Sequence, residues 1–257
     1  MANSDKTSAE PEGIDRLFYE LASESRLGIL KALQVKNYRM QEIARKLDLT
    51  DTEAFRQLQR LSEAQLIQKL PEGAYAITEY GKLIMRFSES FEFAFKFKQT
   101  LLTRNLWRIP DQFINRLGEL SQVQLGTDAV EMMNNAGQLF ETAEKYIWLI
   151  GQRPLSFLDV KAVEILQKGV TIRLLFDESS RKFFEKIPDI KDHFEKRIIP
   201  VIPAVLIMSE KFAGLNVLSI DGRSDNAVFY GNDPKFLKWA ADLFLYYWEQ
   251  GKCCYAT

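Results

Sequence analysis

TDTEAFRQLQRL, residues 50–61, decides how this chain folds, together with MQEIARKL at residues 40–47 just before it. Ala54, Leu58 and Leu61 recur at the i, i+4, i+7 spacing of one buried helical face. Glu53, Arg56, Gln57, Gln59 and Arg60 lie between them and are expected to point outward. Thr50 followed by Glu53 has the pattern of a capping box, in which two residues satisfy each other's orphan backbone donors at a helix start. In the preceding segment Ile43, Ala44 and Leu47 share a face, and Asp48-Leu49 leaves room only for a short turn. Two short amphipathic helices joined so tightly make a helix-turn-helix. The outward row of Arg and Gln on the second helix carries the hydrogen-bonding forks that match guanine and adenine edges. A surface helix hairpin with solvated Arg and Gln is the alternative for this segment alone, and the flanking sequence decides between the two.

The whole chain bounds what that segment can serve. Its 257 residues suffice for two domains with proper cores. With 34 Lys and Arg against 35 Asp and Glu, the net charge of −1 argues against a protein that coats nucleic acid through many phosphate contacts. A specific binder with a local basic patch is compatible with it. Cys253 and Cys254 are adjacent with no third partner, and His193 is the sole histidine. No Cys/His metal site and no cofactor are expected, and a reducing cytoplasm is the expected compartment. The opening MANSDKTSAEPEG lacks the apolar core of a signal peptide, and no apolar run reaches the length of a membrane span.

Residues 1–12 read as a disordered lead-in by composition. Ile14, Leu17, Phe18 and Leu21 then mark an amphipathic helix. Ser23 or Ser25 is placed to cap the next, with Leu27, Leu30 and Leu33 on its core face. Beyond the helix-turn-helix the pattern shortens to strand-like runs at 67–70 and 74–78 around Pro71-Glu72-Gly73, a hairpin signal. Three helices followed by a hairpin make a winged helix, here over residues 13–85. Lys69 on the wing strand is placed to meet a phosphate, although a solvated lysine would read the same.

LASESRLGILKAL, MQEIARKLDLTDTEAFRQLQRLSEAQLI and YAITEYG together resemble the ArsR-like winged-helix transcription factors, especially archaeal ones. Ser25, Arg26, Leu27, Ile29 and Leu30 match that family's first helix. Glu42, Ile43, Ala44 and Leu47 match the second, Leu58 and Leu61 the recognition helix, and Thr78 with Gly81 the close of the wing. The resemblance covers residues 14–85 and implies binding to double-stranded DNA. Thr52, Glu53, Arg56, Gln57 and Arg60 would then face the major groove, with Arg39, Lys46 and Lys69 on phosphates. The cysteines and histidines that sense metals in some members are absent, so a metal sensor is not expected.

A long helix is predicted from residue 78 to about 107, loaded with Phe87, Phe91, Phe93, Phe95 and Phe97. Phe87, Phe91 and Phe95 fall four apart on one stripe; Phe93 and Phe97 form a second. So wide an apolar face needs a partner. In winged-helix regulators that partner is usually the same helix of a second subunit, so Phe87, Phe91, Phe95 and Phe97 are the expected homodimer contacts. Packing against the chain's own second domain is the alternative. Pro110 ends this helix, DQFINRLGEL reads as a short connecting helix, and the linker as a whole spans residues 86–124.

From about residue 125 the rhythm becomes that of an α/β domain reaching to residue 257. A helix at 128–143 leads into YIWLIG, and one at 156–168 into VTIRLLFD. A third, at 179–194, leads into RIIPVIP and AVLIMSE; LNVLSIDG, NAVFYGN and a closing helix at 234–251 follow. Strands alternating with helices signal a sheet buried on both faces. The order, and the ending with W-x-x-x-x-F-x-x-Y-W, resemble the phospholipase D-like sensor domains of archaeal regulators of the TrmB and methanogenesis type. That reaction needs two histidines in His-x-Lys-x-x-x-x-Asp motifs. Here His193 is followed by Phe194 and Glu195, so the resemblance implies a catalytically inactive fold. Arg153, Asp177, Glu178, Glu210, Asp221 and Tyr230 lie at strand ends and are ligand-pocket candidates.

The expected protein is therefore an α/β multidomain transcriptional regulator, dimeric, without enzymatic activity. Its second domain would sense a small-molecule effector or support dimerisation. Two alternatives belong to other classes: a winged-helix module for protein contacts, and a divergent phosphodiester hydrolase using the strand-end carboxylates.

Overall fold

The computed structural model describes residues 13–152, 168–181 and 193–253. Two compact units divide the chain, Met1–Ser88 and Glu89–Thr257. No helix among the described residues is long and apolar enough to cross a membrane.

The first unit contains α1 (Ile14–Leu21), α2 (Glu24–Val35), β1 (Tyr38–Arg39), α3 (Met40–Lys46) and α4 (Asp51–Glu63), then the hairpin of β2 (Ile67–Lys69) and β3 (Ala74–Ile77). The three strands form an antiparallel sheet in the order β1-β3-β2. Short polar side chains start the helices. Ser23 Oγ accepts from Arg26 N at 3.4 Å to open α2, and Thr50 Oγ1 accepts from Glu53 N at 3.2 Å to open α4. The expected return bond from Glu53 is redirected, since its carboxylate accepts the Ser25 hydroxyl at 3.5 Å. Asp48, in the turn between α3 and α4, takes a left-handed φ of 53°, which aspartate tolerates better than most residues. The apolar faces of these elements close over Ile29, Leu30, Ile43, Leu58 and Leu61, all fully buried.

The step from β3 into the next helix explains a Thr-x-x-Gly spacing. Thr78 Oγ1 donates to the Gln65 carbonyl at 2.7 Å and accepts from Gly81 N at 2.9 Å. Gly81 presses on the chain there so closely that a Cβ would sit 2.1 Å from the Leu66 carbonyl oxygen. Gly81→Ala should therefore destabilise the first unit by about 2–3 kcal/mol, the upper range for overpacking. An unfolding free energy from urea titration lowered by less than about 0.5 kcal/mol would show that this approach is not required.

α5 runs from Glu79 to Lys96. The single helix expected from residue 78 to about 107 stops there, because Phe97 leaves the helical region at φ −109°, ψ 19°. Phe93 and Phe97, together with Ile109 and Phe113 from the connector beyond, are buried in the main core of the second unit. That connector holds α6 (Lys98–Leu101), a 3-10 turn at Leu106–Arg108, α7 (Asp111–Ile114) and a second 3-10 turn at Leu117–Leu120.

The second unit is a mixed α/β fold. Among the described residues, eight strands form one sheet in the order β11-β7-β6-β5-β8-β9-β10-β4. They are β4 (Gln124–Gly126), β5 (Tyr146–Gly151), β6 (Thr171–Asp177), β7 (Phe194–Ile199), β8 (Ala204–Ser209), β9 (Ala213–Val217), β10 (Val228–Gly231) and β11 (Lys252–Cys253). β5, β6 and β7 run parallel, and the remaining pairings are antiparallel. Alternation along β5 divides its side chains. Tyr146, Trp148 and Ile150 join one core, with α9 (Pro234–Gln250) and the connector, while Ile147 and Leu149 join the other, beneath α8 (Ala129–Thr142). Asp233 caps α9 by accepting from Lys235 N and Phe236 N, and Pro234 occupies the first turn, where its missing N–H costs nothing.

Candidate functional site

In the first unit the exposed surface of α4 is narrower than its sequence suggests. Thr52, Phe55 and Arg56 are exposed, as are Arg39, Lys46 and Lys69 on the neighbouring elements, and Glu53 is half-buried against Ser25. Gln57 and Arg60 were expected to face outward, and here the structure corrects the sequence reading. Gln57 is buried, and its Oε1 accepts from Arg26 Nη1 at 3.0 Å. Arg60 is committed to Glu20, with Nη2 to Oε1 at 2.6 Å and Nε to Oε2 at 3.2 Å, and its guanidinium lies 4.8 Å from the Tyr19 ring. The hydrogen bond to Glu20 is the main cause that raises the Arg60 pKa further, so this side chain stays charged. Arg26 completes the group. Its Nε donates to the Glu20 carbonyl at 2.7 Å and lies 3.1 Å from the Glu20 carboxylate, and its Nη2 donates to the Tyr19 carbonyl at 2.7 Å. One carboxylate and two guanidinium groups thus tie α1, α2 and α4 together.

Along α5 the two phenylalanine stripes part company. Phe87, Phe91 and Phe95 are exposed, whereas Phe97, expected at a dimer contact, is buried with its ring 5.1 Å from Phe229 and 5.2 Å from Phe93. A partner subunit cannot reach it.

The carboxylates named as pocket candidates turn out to brace the fold. Asp177 accepts from Ser179 Oγ at 2.5 Å and Ser180 Oγ at 2.9 Å. Glu178 is paired with Arg181, whose hydrogen bond is the leading cause that holds its carboxyl below the ordinary range. Burial alone would lift Glu210, but the backbone N–H groups of Glu144, Lys145 and Tyr146 hold it below its usual value. Asp221 closes its own turn, held low first by the Ser219 hydroxyl and then by Arg223 N. Arg153 lies outside the described residues. His193 is exposed in a left-handed turn, φ 65°, just before β7. Among the described residues no cluster of three or more His, Cys, Asp or Glu could hold a metal ion.

Of the candidates among the described residues, Tyr230 lines a cavity. This space of about 490 Å³ lies between α8 and the sheet. Met132, Asn135 and Ala136 of α8 form one wall, and Leu149, Val205, Ile207, Gly214 and Val228 of the strands form the other. Gln152, Phe212, Arg223 and Ser224 complete the rim. Tyr230 Oη donates to Glu131 Oε1 at 2.6 Å, and that carboxylate is the main cause that raises the phenol pKa. Sequence reading passed over these residues because most are apolar. AVLIM at residues 204–208 is apolar throughout and carries no signal for them; only the fold leaves Val205 and Ile207 half-buried between the fully buried Ala204, Leu206 and Met208.

The described residues define a mixed α/β protein of two units, one helical with a small antiparallel sheet and one built on a large mixed sheet over a cavity. Residues 161–250, 90 of the 257, match the family model described as methanogenesis regulatory protein FilR1, middle domain. No curated protein sequence matches the chain. Among solved structures it is similar to TrmBL2, an archaeal chromatin protein, at 13% identity over 94% of this chain and 100% of that one, with a TM-score of 0.44. It is also similar to Nuc, a phospholipase D family member from Salmonella typhimurium, at 16% identity over 53% of this chain and 99% of that one, TM-score 0.37. The methyltransferase SibL aligns at 13% identity over 74% of this chain and 66% of that one, TM-score 0.27. Scores this low carry no argument about fold or function.

Proposed function

We propose that this chain is a winged-helix, DNA-binding transcriptional regulator whose second unit senses a small molecule. The observation that carries the reading is α4. It is capped by Thr50, held by the Glu20–Arg26–Arg60 group and presents Thr52 and Arg56 on an exposed first turn and a half, beside Arg39, Lys46 and Lys69. In this reading α4 enters the major groove, Thr52 and Arg56 meet base edges, and the three flanking cations meet phosphates. Gln57 and Arg60 orient the helix instead of reading bases. The match of residues 161–250 to a domain of a regulatory protein supports the same class.

The exposed stripe of Phe87, Phe91 and Phe95 supports a homodimer, which would set two recognition helices on successive half-sites. A ligand in the second unit has a route toward α5. Arg104, just beyond α6, grips Asp225 with two bonds of 2.9 and 2.8 Å, and Asp225 belongs to the β9–β10 loop that lines the cavity. Regulation follows if the ligand binds one arrangement of the dimer more tightly than another.

Fluorescence anisotropy on DNA from upstream of the chain's own gene, at several salt concentrations, tests the reading. Arg56→Ala should lose about 1–3 kcal/mol of binding, roughly five- to 150-fold, and Lys69→Ala should lower the salt slope by about one. Affinity that ignores both sequence and salt would instead favour a module for protein contacts.

A further inference from the structure

The cavity beneath α8 has a chemical bias. Its walls are mainly apolar, and among the described residues lining it Arg223 is the one charged side chain. Arg223 is weakly occupied: its side chain is 86% exposed, and Nε lies 3.6 Å from Asp221 Oδ2. An exposed pair at that distance contributes little and yields readily to a better-placed anion. The carboxylates around it are engaged, Glu131 by the Tyr230 hydroxyl, Asp221 by the Ser219 hydroxyl and Arg223 N, and Asp225 by Arg104. A cationic guest would find no carboxylate in the described lining, whereas an anion meets a guanidinium whose planar fork suits a carboxylate or sulfonate.

The Arg223 loop is also held in place. Gln152 Nε2 donates to the Gly222 carbonyl at 3.1 Å, Ser219 N bonds the Arg223 carbonyl at 2.9 Å, and Arg104 and Asn216 both bond Asp225. A fixed loop spends little ordering entropy on binding. Deeper in, Asn135 Nδ2 is buried beside the Tyr230 hydroxyl without a hydrogen bond of good geometry, a second donor in the lining for an acceptor atom.

We propose that this cavity binds an organic monoanion with an apolar body, its carboxylate or sulfonate on Arg223 and its aliphatic or aromatic skeleton against Leu149, Val205, Ile207 and Val228. The volume, about 490 Å³, falls within the range of small-molecule sites. This assignment rests on the reading of the second unit as a ligand-sensing domain.

The test uses the full chain and 8-anilinonaphthalene-1-sulfonate, a fluorescent monoanion with an aromatic body. Saturable binding at one site is expected, displaced by decanoate at least about tenfold more effectively than by decanol, and not by decyltrimethylammonium. Arg223→Gln should erase the preference for decanoate over decanol while leaving decanol unchanged. Gly214→Leu should abolish binding of the probe, decanoate and decanol alike, because its Cβ meets only ordinary contacts, 3.4 Å to Val228 and 3.5 Å to Ile207, and the rest of the side chain fills the cavity. A retained thermal transition in each variant excludes probe binding to a loosened core. Equal displacement by decanoate and decanol in the parent chain, or probe binding indifferent to both substitutions, overturns the proposal. DNA affinity is followed in the same samples. Decanoate binding that meets these criteria upholds the site even where DNA affinity does not move, a result that removes only the sensing role.

Discussion

Glu20→Ala is expected to destabilise the first unit by about 3–5 kcal/mol, the range for removing one partner of a buried ion pair. The Glu20 and Arg26 side chains are each 8% exposed, and Glu20 also holds Arg60. Without the carboxylate, Arg26 keeps its charge in a site where only the Tyr19 and Glu20 carbonyls and Gln57 Oε1 remain to accept from it. Arg60 is freed to solvent and its tie from α4 to α1 is lost. Glu20→Gln keeps an acceptor oxygen and should cost less than the alanine change. Urea unfolding followed by far-UV circular dichroism measures both. A cost below about 1 kcal/mol for Glu20→Ala would mean that the three-residue group adds little and that other packing positions α4. The consequence extends to the proposed function: with α4 less constrained, DNA affinity should fall although residue 20 touches no base in that reading.

Trp239→Ala is the second large effect, about 3–5 kcal/mol, as for other buried aromatic truncations. Trp239 is fully buried on α9, its ring centroid 5.8 Å from that of Phe113, and its Nε1 donates to the Phe113 carbonyl at 3.1 Å. The change opens a cavity and removes one of that carbonyl's two donors, the other being Arg116 N at 3.1 Å, so the transfer cost and the loss of one hydrogen bond add. Trp239→Phe separates them: most of the volume stays, and the residual cost, about 0.5–1.5 kcal/mol, is chiefly the lost indole hydrogen bond, since Arg116 N still donates to the carbonyl. Differential scanning calorimetry should show the loss in the second unit's transition. Similar costs for the two variants would place the effect in the hydrogen bond and not in packing.

The mixed α/β character, the capped start of α4, its buried Ala54, Leu58 and Leu61, the β2–β3 hairpin around Gly73 and the closing α9 all follow from local pattern. Each depends on interactions within a few residues: an Oγ reaching a backbone N–H three positions on, an apolar stripe at helical period, alternation along a strand. The strands at Gln124–Gly126 and Lys252–Cys253 escaped such reading because each is only a few residues long and is defined by the partner it pairs with.

Other features were decided by the tertiary structure, because their partners lie far away in sequence. Gln57 and Arg60 occupy positions on α4 that local spacing assigns to solvent. They turn into structural anchors because Arg26 and Glu20, 31 and 40 residues earlier, bring buried charge to that side of the helix. Phe93 and Phe97 differ from Phe91 and Phe95 in nothing that sequence displays; the arrival of Phe229, more than a hundred residues later, makes one stripe core and leaves the other exposed. Of the strand-end carboxylates, Glu210 satisfies backbone N–H groups 64 to 66 residues earlier that only the folded sheet delivers, whereas Asp177, Glu178 and Asp221 close their own local turns. The cavity, conversely, is a gap between α8 and four strands, lined by side chains individually typical of a core. Local pattern accounts for the caps of α4 and α9, the apolar stripe of α4 and the hairpin turn at Gly73. Which polar groups are consumed by the fold, and where space is left for a ligand, depended on long-range packing, because desolvation and hydrogen-bond satisfaction are set by whatever chain finally lies alongside.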